Sequence, residues 1–186
     1  VLVGVYCQDG VVIGADSAVT FAAGAIPTVE QHKYPKIDII GERVIIAGTG
    51  QVGLGQRFCA IVQDAWNNKL FQQDHITVAK ELTSIALQDF QYTAAPRGQY
   101  GALLAFHCRN GFQLCEFQIA DFQPEFKNQK LWYVSMGSGQ TITDPFLGLM
   151  RRIFWEGGPP TRQDAIFAVT WALEHAVEVN PGGVNR

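Results

Sequence analysis

Runs of apolar residues broken by short polar turns open the chain and predict strands. Val1 to Gln8 reads as a strand, Asp9-Gly10 as a hairpin turn, and Val11 to Asp16 as the return strand. Ala25 to Glu30 and Lys33 to Ile40 read as a second strand pair. Gly41-Glu42 turns the chain, and Arg43 to Ala47 forms another strand that ends in the glycine-rich "AGTGQVGLG". The period then changes. Phe58, Val62, Trp66 and Leu70 recur every four residues, which predicts a helix over about 52–70. Val78, Leu82, Ile85 and Ala86 share one face of a second helix over about 77–92.

After the loop "QYTAAPRGQ", Tyr100 to Cys108 and Phe112 to Ile119 form a hairpin around Asn110-Gly111. Asp121 to Lys130 is polar and turn-like. Leu131 to Met136 is a strand that runs into "GSG". Two more helices follow, over about 143–155 and 162–179, the second beginning at the cap residue Thr161. A strand starts again near Gly183. Helices that come in pairs between antiparallel hairpins do not build a doubly wound parallel sheet. They predict an α+β fold, a four-layer αββα sandwich of two stacked antiparallel sheets with a helix pair on each outer face. Residues 1–186 read as one such domain.

Composition narrows the picture little further. Apolar residues are 47% and charged residues 17% of the 186, with a net charge of -3 and no block of like charge, so neither nucleic acid nor a membrane is a predicted partner. No apolar run approaches the ~18–20 residues a membrane span needs, and the start lacks the basic region of a signal peptide. Cys7, Cys59, Cys108 and Cys115 are flanked by apolar sequence without metal-ligand spacing; their even number also fits disulfides, but the surroundings favour buried free thiols in a cytoplasmic protein. The four histidines are scattered, so no metal site is predicted. The start at Val1 and the close on "GGVNR" predict further residues at both ends.

The chemistry concentrates at Asp16. Four apolar residues and a glycine lead into this carboxylate, and Asp is costly in a core unless an ionic or hydrogen-bonding partner meets it. Taken alone, Asp16 also fits a surface turn, with a solvated lysine further on. "AGTG" suggests a phosphate loop, but no G-K-[ST] follows.

Four stretches together are more specific. "VGVYCQDGVVIGADSAVT", "HKYPKIDIIGERVIIAGTG", "MGSG" and "PGGVN" occur in an order and spacing that resembles the β-type subunits of proteasomes and their bacterial relatives, among the N-terminal-nucleophile hydrolases. The resemblance runs over essentially the whole chain. It implies a threonine-type endopeptidase whose N-terminal Thr supplies both the hydroxyl nucleophile and the amine base. The register places that Thr one position before Val1.

The resemblance assigns the acidic residue to Asp16 and the activating lysine to Lys33. The spacing to "ID" favours Lys33 over its rival Lys36, and strand alternation would point the two to opposite faces. Gly48 is the implied oxyanion donor and Ser138 the serine beside the amine. Glu178 stands where the family has Asp, and Pro181 replaces a serine, removing hydroxyl and N–H. Thr20, Phe21 and the Gly48 segment would wall a cleft for an extended peptide, with Val19 and Ile46 lining an apolar pocket for the side chain before the cut. No metal or organic cofactor is implied. The implied partners are a peptide or unfolded protein as substrate and further copies of the chain in a ring or spiral. An ATP-driven unfoldase is a further candidate partner. Two other functions compete: a non-catalytic subunit of such an assembly, and an amidase for small amides on the same fold.

Overall fold

The computed structural model describes residues 1–23, 26–30, 35–95 and 98–180, and within 19–30 the backbone alone. Strands β1 (Leu2–Cys7) and β2 (Gly10–Ala15) pair antiparallel, with Cys7 opposite Gly10. The two-residue loop is therefore Gln8-Asp9, not Asp9-Gly10, because the glycine closes the pair. Asp9 Oδ1 also accepts the Arg162 N–H at 2.7 Å and ties this turn to the last helix. On its other edge β1 pairs with β10 (Tyr133–Met136), giving the order β10-β1-β2.

Strands β3 (Val19–Ala23) and β4 (Ile26–Glu30) form a separate two-stranded sheet. This corrects the expected pairing of Ala25–Glu30 with Lys33–Ile40. Strand β5 is only Ile37–Ile40, and it pairs with β6 (Val44–Gly50) across the Gly41-Glu42 turn. A five-stranded sheet runs β5-β6-β7-β8-β9, with β7 (Tyr100–Cys108), β8 (Gly111–Phe117) and β9 (Pro124–Phe126). Hydrophobic pattern could not show β9, since three residues that include a proline and a glutamate carry no alternation.

Three apolar layers hold the main sheets and helices together. Helices α1 (Val52–Asn67) and α2 (His75–Phe90) cover the five-stranded sheet through Phe58, Val62, Val78 and Leu82, which meet Ile46, Leu104 and Phe117. Leu2, Val134 and Met136 of the small sheet meet Ala47, Leu103 and Leu114 of the large one. Helices α3 (Gln140–Phe154) and α4 (Arg162–Val179) cover the other side of the small sheet through Leu147, Ala165, Val169 and Ala172 against Val3 and Val5. The α+β, αββα layering is therefore the one that the pattern of paired helices predicts, with a β3–β4 hairpin added. Thr161 caps α4, its side chain accepting the Asp164 N–H. The expected strand at Gly183 lies outside the described residues.

Candidate active site

The end of β2 delivers Asp16 to the edge where both main sheets meet. Its side chain is fully buried and its oxygens are occupied. Oδ2 accepts the Ala18 N–H at 2.9 Å. Oδ1 accepts from the Val1 nitrogen and, at 2.6 Å, from Lys36 Nζ. The Asp16 N–H in turn donates to the Val1 carbonyl at 3.1 Å. Burial alone would raise the Asp16 carboxyl, but the positive Val1 nitrogen and the Lys36 ammonium outweigh it and hold it below its ordinary value of 3.8. The carboxylate that looked misplaced at the end of a buried strand thus meets the Val1, Ala18 and Lys36 nitrogens.

Among the described residues, Lys36 is a lysine brought to Asp16. Lys33 lies outside them. Lys36 stands in coil just before β5, where strand period does not set direction. Pro35 and Lys36 both face the cleft.

That cleft has a volume of about 1010 Å³ and is bordered by Val1, Lys36, Ile46, Gly48, Thr49 and Ser138, among others. Gly48 lies under the Tyr100 ring, and a Cβ there would sit 2.7 Å from the tyrosine hydroxyl. Only a glycine leaves this passage open. Its N–H donates to the Lys36 carbonyl at 3.3 Å, a long bond that extends the β5–β6 ladder. Beyond β10 the chain turns at Gly137, with φ 92°, where a Cβ would press on the Thr49 hydroxyl at 2.9 Å and lie 3.6 Å from the Val1 Cα. This turn places Ser138 on the cleft rim, exposed and beside Val1.

One expected residue, Glu178, is not brought to this point, and for Val19, Thr20 and Phe21 the side chains lie outside the description. Glu178 is exposed in the last turn of α4 and does not line the cleft. Ala176 packs against Val1, and a residue two further on is turned by about 200° on a helix of 3.6 residues per turn, so Glu178 faces away. Pro181 lies outside the described residues. Val19, Thr20 and Phe21 lie in β3, opposite Glu30, Val29 and Thr28, and only their backbone is described. Ile46 does line the cleft, 1% exposed.

Sequence reasoning missed Asp38, Cys59 and Tyr100, which also border the cleft. Asp38 joins the site through the β5–β6 register, which sets it opposite Ile46. Cys59 and Tyr100 come from a helix and a distant strand, and nothing local marks them. Among the described residues no group of three or more His, Cys, Asp or Glu could hold a metal ion. All four cysteines are free thiols, three of them buried.

Comparison with protein-family models matches the family described as "Proteasome subunit" over residues 1–178. The chain belongs to the proteasome subunit family. A search among curated proteins found no match. The layering of two antiparallel sheets between helix pairs agrees with the N-terminal-nucleophile hydrolase fold of that family, and the matched span includes Asp16, Gly48 and Ser138. Among the described residues no helix of this proteasome-family chain is long and apolar enough to cross a membrane.

Proposed function

We propose that this proteasome-family subunit is a threonine-type endopeptidase, with the nucleophile on a Thr directly before Val1. The observation that carries the reading is the buried Asp16 holding both the Val1 nitrogen and Lys36 at the head of an open cleft. A residue added before Val1 would stand at this point. The Val1 nitrogen would then be an amide N–H that still donates to Asp16, and the lysine would carry the positive charge.

In this mechanism the Thr amine takes the proton from the Thr hydroxyl as its oxygen attacks the scissile carbonyl. The amine is suited to this because its ordinary pKa lies near ~8. The oxyanion is met by the Gly48 N–H, which gives up its long bond to the Lys36 carbonyl. The intermediate collapses to an ester on the Thr oxygen, and the protonated amine delivers its proton to the leaving amine of the substrate. Water, deprotonated by the same amine, then hydrolyses the ester and restores the hydroxyl. Lys⁺ beside the nucleophile favours its deprotonated form, and Asp16 holds the lysine. The resemblance gives this role to Lys33, while the described geometry puts Lys36 on Asp16. Ser138 supports the amine from the rim; Glu178 enters only if the end of α4 rearranges.

The substrate is an extended peptide or unfolded protein, the working form a homo-oligomeric ring or spiral in the cytoplasm. Ile153, Phe154, Ile166, Phe167 and Trp171 are exposed on α3 and α4, apolar surface that supports self-association.

The test is hydrolysis of fluorogenic peptides by the assembled protein. Wild type is expected to cleave them, and Asp16→Asn to lose at least about a hundredfold in kcat/KM, the scale of a lost general-base or electrostatic contribution. Peptides left intact by an assembled wild type would instead support the non-catalytic subunit.

A further inference from the structure

The cleft holds one charged side chain that the mechanism does not use. Of the described side chains that border it, Lys36 and Asp38 are charged, and Lys36 is committed to Asp16. Asp38 sits on β5 directly opposite Ile46, so the two side chains share one face of the β5–β6 hairpin, the face turned to α1. From α1 the Cys59 thiol donates to Asp38 Oδ2 at 3.2 Å. Burial, then the neighbouring carboxylate, pushes this thiol up to about 12, so it stays protonated and keeps Asp38 aimed into the cleft. Among the described residues no cation pairs with Asp38, and its Oδ1 has no hydrogen-bond partner.

We propose that Asp38 makes this cleft select a lysine or arginine for the substrate side chain that enters between β5, β6 and α1. The inference rests on the peptidase reading and adds its substrate class.

The geometry is that of a stem and a head. Gly48, where the scissile carbonyl would lie, is two residues along β6 from Ile46, about 7 Å at the usual strand rise. An extended lysine or arginine spans that distance. Its methylene stem would cover Ile46 and the edge of Tyr100, and its cationic head would meet the free oxygen of Asp38. A leucine would cover the same apolar wall and leave the carboxylate without a partner. A glutamate would place two carboxylates side by side. The two apolar residues that sequence suggested for this pocket, Val19 and Ile46, gave no sign of the charge, because Asp38 reaches the pocket from the neighbouring strand.

The experiment compares fluorogenic peptides that differ only in the residue before the scissile bond: arginine, leucine or glutamate. With the assembled wild-type protein, arginine is expected to exceed leucine by about tenfold or more in kcat/KM, the worth of a hydrogen bond to a charged group. In Asp38→Asn that ratio should fall toward one, through a higher KM for the arginine peptide. Asp38→Lys should turn the preference to glutamate. Glu42→Gln removes another acid from the same hairpin, outside the cleft, and should leave the ratio unchanged. A leucine peptide cleaved as well as the arginine one, a ratio that survives Asp38→Asn, or a Glu42→Gln effect of equal size would overturn the proposal while the peptidase stands. No cleavage of any of the three peptides would remove the peptidase reading, and this inference with it.

Discussion

At the residue scale, Asp16 carries the account. Its carboxyl is held below the ordinary 3.8 by cations that outweigh burial; with a Thr ahead of Val1 the Val1 nitrogen is an uncharged amide, and the pair with Lys36 is what keeps the carboxyl depressed. A depressed carboxyl stabilises the fold above its unfolded value and loses that contribution as pH falls through the folded one. The stability gap between wild type and Asp16→Asn, read from denaturant melts, should therefore be constant from neutral pH down to about 4 and close below it. A gap that widens with acid would contradict the ion pair. The lysines separate in the same way. Lys33→Ala is expected to abolish peptide hydrolysis with assembly intact, as the resemblance implies. Lys36→Ala is expected to raise the acid limb of activity by freeing Asp16 from its cation, which a pH–rate profile would show; an unmoved limb would make Lys36 a bystander in the working site. Asp16 was legible from sequence because an acid after a buried strand demands a partner. That Lys36 is among its partners was not, since Lys36 lies in coil, where no periodicity governs its direction. Glu178 was assigned by motif alone, and the helical turn from Ala176 carries it away from the cleft.

At the scale of elements, periodicity did well where it was long. The last helix begins and ends where its apolar spacing and its Thr161 cap predict, and the β7–β8 hairpin follows its Asn-Gly signal to within a residue. Short strands escaped it. The pattern did not show the β3–β4 pairing, and β9 is tied to β8 by charge as well as by its ladder: Lys127, nearly buried, bonds Glu116 of β8 at 2.7 Å and Glu125 of β9 at 2.6 Å. Burial opposes this lysine's charge, but the two glutamates outweigh it and raise its pKa. Lys127→Met would leave two carboxylates facing each other at the sheet edge. It is expected to cost about 3 kcal/mol, the lower end for a broken buried pair because Glu125 is part-exposed, in urea unfolding. Restoration in the Lys127→Met, Glu116→Gln, Glu125→Gln triple variant would show that charge, not packing, is the cause; no recovery would contradict it.

At the scale of the whole molecule, the layering leaves one outer face greasy. The paired helices α3 and α4 bury one side against the small sheet and expose Ile166, Phe167 and Trp171 on the other. Light scattering is expected to give a mass several times that of one chain, of which residues 1–186 account for 20.5 kDa, and Phe167→Glu to shift it toward the single-chain value. An unchanged mass would place the contacts elsewhere. Assembly and chemistry are joined in this reading, since a homo-oligomer carries one copy of the cleft in every subunit.

The central claim is that a Thr stands ahead of Val1 and performs the attack. The most direct measurement is the mass of the mature subunit, intact and fragmented, before and after incubation with a peptide bearing an electrophile in place of its scissile bond. The account predicts a first residue of Thr with a free amine, and a single peptide adduct mapped to it. A mature chain that begins at Val1 and takes up no adduct would contradict the account, and would leave the Asp16–Lys36 pair as a structural link in a non-catalytic subunit.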